Sequence, residues 1–345
     1  MPDTRNFIAR DDAQPPFFVG LDLGGTNIKG GVVDDRGRPL CSASIPTDRE
    51  KGAESASERM GKFVRRLAAK AKLKLADVAA VGLGSPGTMD IPAGKLVDPA
   101  NLEGWENFPI RDRVSHHCGF PVTFANDARA AAYGEKWTGS GQSFHSMILL
   151  TLGTGVGCGI ILGDEVLDGR HSHGGEFGHT IIDIAPNARS CGCGRLGHFE
   201  AYASATALVK RTEEALAAGR TARWLAKRLA AGEELEAKTI DQAAEEGDEV
   251  CREMIFDTAR YLAVGIVNLM HTIDPDGILL GGAMTFGGKE KLMGRMFLDR
   301  VHQEVFLRAY PTVFRQTTID YAVLGGDAGF IGAAGLARRD YSARK

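Results

Sequence analysis

No segment of the 345-residue chain is apolar for long enough to cross a bilayer. The most apolar stretch, Met147 to Leu162, is broken by four glycines and two threonines, whereas a membrane helix needs about 20 consecutive apolar residues. An excess of basic charge is missing as well. Lysine and arginine number 41 against 44 acids, a formal net charge of -3, so composition offers no broad basic surface to nucleic acid or to an anionic membrane. Cysteine is scarce, and six in a chain this long build no disulfide scaffold; Cys41, Cys118, Cys158 and Cys251 are scattered as buried thiols usually are. A Walker P-loop is absent, since the one Gly-Lys pair near a glycine turn, Gly288-Lys289, has Ala283 where the first glycine belongs. Residues 1–16 carry charge of both signs and no apolar segment, which excludes a secretory signal and reads as a flexible tail. These exclusions leave a globular protein with a cytoplasmic setting and a small-molecule partner. At roughly 150 residues per domain the length suggests two domains.

What is present is rich in glycine turns. Phe17 to Gly37 reads as a strand, a glycine turn and a second strand, and Met147 to Glu165 repeats that order without a gap: Leu23 matches Leu152, Gly24 matches Gly153 and Asp35 matches Asp164. Two similarly built α/β halves follow. Met60, Phe63, Val64 and Leu67 mark one face of a helix ahead of the apolar run Val78 to Leu83. Residues 204–270 read as mostly helical, with Met254 to Met270 apolar nearly all round, as in a buried helix. Ile278 to Gly282 reads as a strand ending in a glycine turn, and the helix from about Gly326 to Ala337 is expected to fold back on the first domain.

Backbone amides freed by glycine approach a polyphosphate closely and donate hydrogen bonds to it. Gly24-Gly25-Thr26-Asn27, Thr154-Gly155 and Gly281-Gly282 are therefore expected to clamp a nucleotide, against the simpler reading that each only closes a hairpin. Asp22, beside the first loop, is expected to orient a hydrated Mg2+, with turn capping as its alternative role. Gly82, Gly84 and Gly87 match the spacing of a dinucleotide fingerprint, but Pro86 and the segment Thr88 to Pro92 make a poor helix start. Asn126-Asp127 ends a strand and opens a helix, where a carboxylate serves either as a cap or as the general base that takes a hydroxyl proton. His171, His173, His179, Cys191, Cys193 and His198 fall in a short glycine-rich stretch suited to zinc, which favours four nitrogen and sulfur ligands. A redox pair is the competing reading, though Cys-X-Cys is too tight for an unstrained disulfide. Glu176 and Glu200 flank these ligands and would face a bound polyol or, on the plainer reading, solvent.

Taken together, these residues resemble the ROK family, the repressor, open reading frame and kinase group of the hexokinase and actin superfamily, from about Phe17 to Ala337. Asp22 to Thr26 is similar to its first phosphate motif, Leu152 to Gly157 to its second and Leu280 to Gly282 to its adenosine motif. The resemblance implies an actin-like (ribonuclease H-like) ATPase fold of two α/β domains with a ligand cleft between them. On this reading residues 17–125 and 326–345 form the N-terminal domain, and 126–325 form a larger one carrying a zinc-binding loop. It implies a glucokinase-like enzyme that uses ATP and Mg2+ to phosphorylate a hexose at its 6-hydroxyl, with glucose indicated by the runs Asn126 to Glu135 and Ala203 to Ala207. Asp127 would be the catalytic base, and Gly87, Asn101, Asn126, Asp127, Glu176, His179 and Glu200 would bind the sugar. Structural Zn2+ would be held by His179, Cys191, Cys193 and His198, the last standing where the family has a third cysteine, with His171 or His173 as competing ligands. Fructose, allose, mannose and N-acetylmannosamine are the other sugars the family phosphorylates, and polyphosphate is a donor alternative to ATP. The family also contains repressors with a helix-turn-helix domain ahead of the first phosphate motif. Only 16 residues precede Phe17 here, which favours an enzyme over a DNA-binding repressor and leaves a non-catalytic sugar sensor as the alternative. A homo-oligomer, dimer or tetramer, is implied too.

Overall fold

Apolar residues on both sides of the Gly24–Thr26 turn make the first hairpin. Its strands β1 (Phe17–Leu23) and β2 (Asn27–Val33) pair antiparallel with Asp22 opposite Lys29, and β3 (Pro39–Pro46) extends them. The computed structural model describes residues 7–99 and 102–345. Helix α1 (Gly52–Lys70) then carries the chain to β4 (Val78–Ser85), which lies parallel to β1. A small hairpin of β5 (Thr88–Asp90) and β6 (Lys95–Asp98) follows, then α2 (Ile110–Cys118), β7 (Val122–Asn126, parallel to β4) and α3 (Asp127–Thr138). No helix opens after Gly87, which removes the dinucleotide reading of Gly82, Gly84 and Gly87. The sheet order is β3-β2-β1-β4-β7.

One face of this sheet buries Leu21, Ile28 and Leu83 against Met60, Phe63, Val64 and Leu67 of α1, the stripe expected from the sequence. The other face receives the C-terminal helix Ala328–Ala343, with Phe330, Ile331, Ala334 and Ala337 packed on Phe18, Val33 and Ala80. That helix comes very close. A Cβ at Gly20 would stand 1.7 Å from the Phe330 carbonyl oxygen, and one at Gly82 would stand 1.8 Å from that of Ala333.

The second sheet repeats the topology: β8 (Ser146–Leu152), β9 (Val156–Leu162), β10 (Glu165–Val166), β11 (Gly277–Gly281) and β12 (Thr318–Tyr321) run in the order β10-β9-β8-β11-β12. As in the first sheet, three antiparallel positions continue into two parallel ones, β8 with β11 and β11 with β12. The inserted helices are α4 (Glu200–Ala203), α5 (Ala205–Ala217), α6 (Arg223–Ala230), α7 (Ala237–Glu245), α8 (Glu249–Ile273), α9 (Leu292–Phe306) and α10 (Pro311–Gln316). α8 buries Met254, Leu262, Ile266 and Met270. Among the described residues, no helix is long and apolar enough to cross a membrane.

The chain divides into two compact units, one of Met1–Ser143, Gly159–Gly175 and Val323–Lys345, the other of Phe144–Cys158 and Glu176–Ala322. This division differs from the expected boundary at residue 125. α3 groups with the first unit because it packs against the C-terminal helix, where a Cβ at Gly332 would lie 1.6 Å from the Ala130 carbonyl oxygen.

Candidate functional site

In the first unit, three parallel strands bring the expected residues to one edge. Asp22 pairs in register with Gly84, and Ser85 pairs with Asn126, so Asp22 and Asn126-Asp127 both stand at the carboxyl ends of β1 and β7 with β4 between them. Strands lie about 4.8 Å apart, which separates Asp22 from Asn126 by roughly 10 Å of sheet. Ligands of open α/β sheets bind at such an edge. Asn126 caps α3, its Oδ1 accepting from the amides of Ala128 at 3.0 Å and Arg129 at 3.3 Å, while Asp127 Oδ1 accepts from Ala128 N at 2.8 Å. Both side chains thus accept from the Ala128 amide in the first turn of α3, with Asn126 as the cap residue.

Asp22 is half-buried. A Cβ at Gly329 would fall 2.3 Å from its Oδ2, so only glycine on the C-terminal helix leaves room for the carboxylate. Burial pushes its pKa up from 3.8 to about 6, with the facing Lys29 ammonium opposing the rise. The adjoining turn is tied down by Gly24 N donating to Asn27 O at 2.9 Å, Thr47 N to Thr26 O at 2.8 Å and Thr47 Oγ1 to Gly24 O at 2.6 Å, leaving Thr26 and Asn27 exposed. Gly87 adopts φ +86°, a left-handed conformation that suits glycine. Asn101 lies outside the described residues.

In the second unit, the corresponding turn opens on a cavity of about 690 Å³ lined by Gly153, Thr154, Thr206, Asp241, Met284 and Phe286, among others. The turn is closed by Gly153 N donating to Gly155 O at 3.0 Å and anchored by Ala205 N to Gly153 O at 2.9 Å. Gly281 and Gly282 end β11 beside it, and Gly282 (φ +90°) lets the chain approach Leu152, whose carbonyl accepts from Met284 N at 2.9 Å. The two loop glycines differ. A Cβ at Gly153 would meet nothing within 4 Å, but one at Gly155 would lie 2.2 Å from Glu200 Oε2. Gly155 therefore makes room for a carboxylate of its own chain.

Glu200 is the hub of this region. Its Oε2 accepts from Val156 N at 3.0 Å, and its Oε1 stands 3.5 Å from Cys191 Sγ. The short segment after Glu176 presses on the same strand, where a Cβ at Gly178 would lie 2.4 Å from the Val156 carbonyl oxygen. His179, Cys191, Cys193 and His198 bring one ligand atom each to within 4.8 Å of one another. His179 Nδ1 lies 3.3 Å from His198 Nδ1 and 3.8 Å from Cys191 Sγ, and Cys193 Sγ lies 3.3 Å from His198 Nδ1. With Zn–N near 2.05 Å and Zn–S near 2.3 Å, a tetrahedral site has N–N edges of about 3.3 Å and N–S edges of about 3.6 Å. The donor set and spacing fit zinc. Neither His171 nor His173 belongs to the cluster, and both cysteines are free thiols, with no disulfide between them. Burial pushes the Cys191 thiol up to about 12, and burial followed by the neighbouring His179 lowers the His198 imidazole.

Two features had no signal in the sequence. Tyr202 clamps the base of the loop that carries Cys191 and Cys193, donating to Asp183 Oδ2 at 2.6 Å and accepting from Arg189 N at 2.8 Å. The far wall of the cavity comes from α5 and α7, through Val209, Lys210 and Asp241, which no motif marks. The run Ala203 to Ala207 proves to be a helix start, with Ser204 Oγ accepting from Ala207 N at 3.1 Å.

A family model described as the ROK family matches residues 18–340. A glucokinase of Halalkalibacterium halodurans is 32% identical over 94% of this chain and 95% of that protein. The structure of a ROK family glucokinase from Streptomyces griseus in complex with glucose and AMPPNP aligns at TM-score 0.76 and 34% identity, over 94% of this chain and 99% of that one. A xylose repressor of Caldicellulosiruptor bescii is 28% identical over 94% of this chain and 78% of that protein. The mixed α/β architecture with two sheets is that of ROK kinase structures, the actin-like ATPase fold.

Proposed function

The chain belongs to the ROK family of sugar kinases and their relatives, and we propose that it transfers the γ-phosphoryl group of ATP to the 6-hydroxyl of glucose. The observation that carries this reading is the chain-long similarity to a structure holding glucose and AMPPNP. Asp127, fixed at the head of α3, takes the proton of the 6-hydroxyl as its oxygen bonds to the γ-phosphorus and the bond to the β,γ-bridging oxygen breaks, releasing ADP. Asn126, Gly87 and, as the family resemblance implies, Asn101 contact the sugar, and Glu176, His179 and Glu200 accept or donate hydrogen bonds to its other hydroxyls. Gly25, Thr26, Thr154 and Gly155 donate amides to the phosphates, since Gly24 N and Gly153 N already bond Asn27 O and Gly155 O within their turns. Asp22 fits Mg2+, an oxygen-seeking ion that neutralises phosphate charge when bound; its carboxylate would orient the hydrated ion. The cavity beside Gly281-Gly282 has the volume of a small-molecule site and takes the nucleoside.

An assay of ADP release across glucose, fructose, allose, mannose and N-acetylmannosamine tests the reading. Glucose should give the highest kcat/KM. A non-catalytic sugar sensor is the second reading, favoured by the similarity to a xylose repressor; it predicts sugar binding without ADP release.

The two glycines of the second loop separate the ligands. Gly153→Ala adds a methyl into the open cavity and should raise the KM for ATP by about tenfold, as a loss of 1.4 kcal/mol would. Gly155→Ala pushes on Glu200 and should instead raise the KM for glucose. Identical effects on both ligands from both variants would contradict this division.

Zinc at His179, Cys191, Cys193 and His198 would close the loop behind Glu200 and stabilise the fold around it, as structural zinc does. The purified protein should contain about one equivalent of zinc, four ligands completing one site. Cys191→Ser should lower zinc content and melting temperature and raise the KM for glucose before that for ATP, and His198→Cys should keep the metal. Unchanged zinc content in Cys191→Ser would refute the site.

A further inference from the structure

Six charged side chains line the 690 Å³ cavity of the second unit: Lys210, Glu213, Glu236, Lys238, Asp241 and Lys291. Five of them are exposed and solvated. Asp241, on α7, is 7% exposed. Its Oδ1 is buried and has no hydrogen-bond partner among the described residues, while Oδ2 faces the Lys291 ammonium at 3.6 Å, beyond hydrogen-bond distance. Burial raises the carboxyl's pKa, and Lys291 counters the rise. Buried polar oxygens in native structures are normally satisfied, and an exception calls for a missing partner. The adjoining wall is apolar, from Leu235, Met284 and Phe286, while Gly153 and Thr154 line the same cavity. A flat apolar base with one donor group, attached to phosphates, matches that lining. Rotation about χ2, which is soft for aspartate, turns either carboxylate oxygen toward the cavity.

We propose that Asp241, steered by Lys291, determines the specificity for the phosphoryl donor by accepting a hydrogen bond from an N–H or O–H group of its nucleoside. The inference rests on the reading above that this cavity takes a nucleotide. Two groups of ATP have the required chemistry, the 6-amino group of adenine and the ribose hydroxyls. A guanine or hypoxanthine base presents an oxygen at the 6 position, which a carboxylate repels. Inorganic polyphosphate has no nucleoside and is indifferent to Asp241.

The test is calorimetric binding of ATP, ITP, 2′-deoxy-ATP and polyphosphate to the full chain with glucose and Mg2+, for the wild type, Asp241→Asn and Asp241→Ala. Thermal melting confirms that the variants fold. The wild type should prefer ATP over ITP, if the amino group is read, or over 2′-deoxy-ATP, if the ribose is read, by at least about tenfold, since a site built around a hydrogen bond rejects the analogue lacking it. Both variants should lose most of that preference, while their polyphosphate affinity stays at the wild-type value. Folded variants that keep the wild-type preference would overturn the role of Asp241 and leave the cavity's assignment standing. A wild type that binds no nucleotide would overturn the assignment and this inference together.

Discussion

Asp127→Asn is expected to lower kcat for glucose phosphorylation by about 10²-fold to 10⁴-fold, the usual contribution of a general base. The substitution is nearly isosteric, and the amide oxygen still accepts from Ala128 N, so α3 should start where it does now. The Asn126 cap is untouched, and it secures two amides of the first turn. Glucose affinity should therefore change by less than turnover does. Loss confined to kcat marks an interaction made in the transition state. A folded variant with more than a third of wild-type kcat would remove Asp127 from the role of base.

Asp22→Asn is expected to do two opposite things, abolishing most Mg-ATP turnover and raising thermal stability. The half-buried carboxylate stands at the end of β1 close to Gly329 of the C-terminal helix, and burial lifts its pKa from 3.8 to about 6. A carboxyl whose native pKa exceeds its unfolded value binds its proton more tightly when folded. The destabilisation is therefore absent below about pH 4, grows as the pH rises, and is complete above about pH 6. At 1.36 kcal/mol per unit the difference is about 3 kcal/mol at pH 7. The asparagine variant should melt above the wild type at pH 7, and the gap should close toward pH 4. Mg2+ should also protect the wild type more than the variant. Equal melting curves at both pH values would show that the carboxylate carries no burial cost.

The sequence exposes the architecture well because its strongest signals are local. Leu23-Gly24 and Leu152-Gly153 mark two hairpins, and the structure builds the same strand order around each. The apolar stripe of α1 follows from side-chain period, and the buried helix α8 from a segment that is apolar nearly all round. Asn126-Asp127 could be placed at a strand-to-helix junction because apolar strand and cap are adjacent in sequence. The short stretch holding Cys191, Cys193 and the histidines was legible for the same reason, while the choice of His179 and His198 over His171 and His173 came with the family resemblance.

Long-range geometry was not legible. The reading of Gly155 as a phosphate contact could not foresee Glu200, 45 positions later, with its carboxylate beneath that loop. The expected boundary at residue 125 comes with the family resemblance and not from a local signal, whereas the small residues of α3 and the C-terminal helix, Ala130 and Gly332, pack the two helices together. Asp241 has no motif around it, and only its burial beside a cavity distinguishes it from other acids on amphipathic helices.

The central claim is phosphoryl transfer from ATP to the 6-hydroxyl of glucose, and identification of the product by phosphorus and carbon NMR tests it most directly. Incubation with ATP, Mg2+ and glucose should yield ADP and glucose 6-phosphate in equal amounts, with phosphorus coupled to carbon 6, and Asp127→Asn should form the same product at least about 10²-fold more slowly. ADP without sugar phosphate, phosphate on another hydroxyl, or no reaction with glucose while another sugar is phosphorylated would contradict the account.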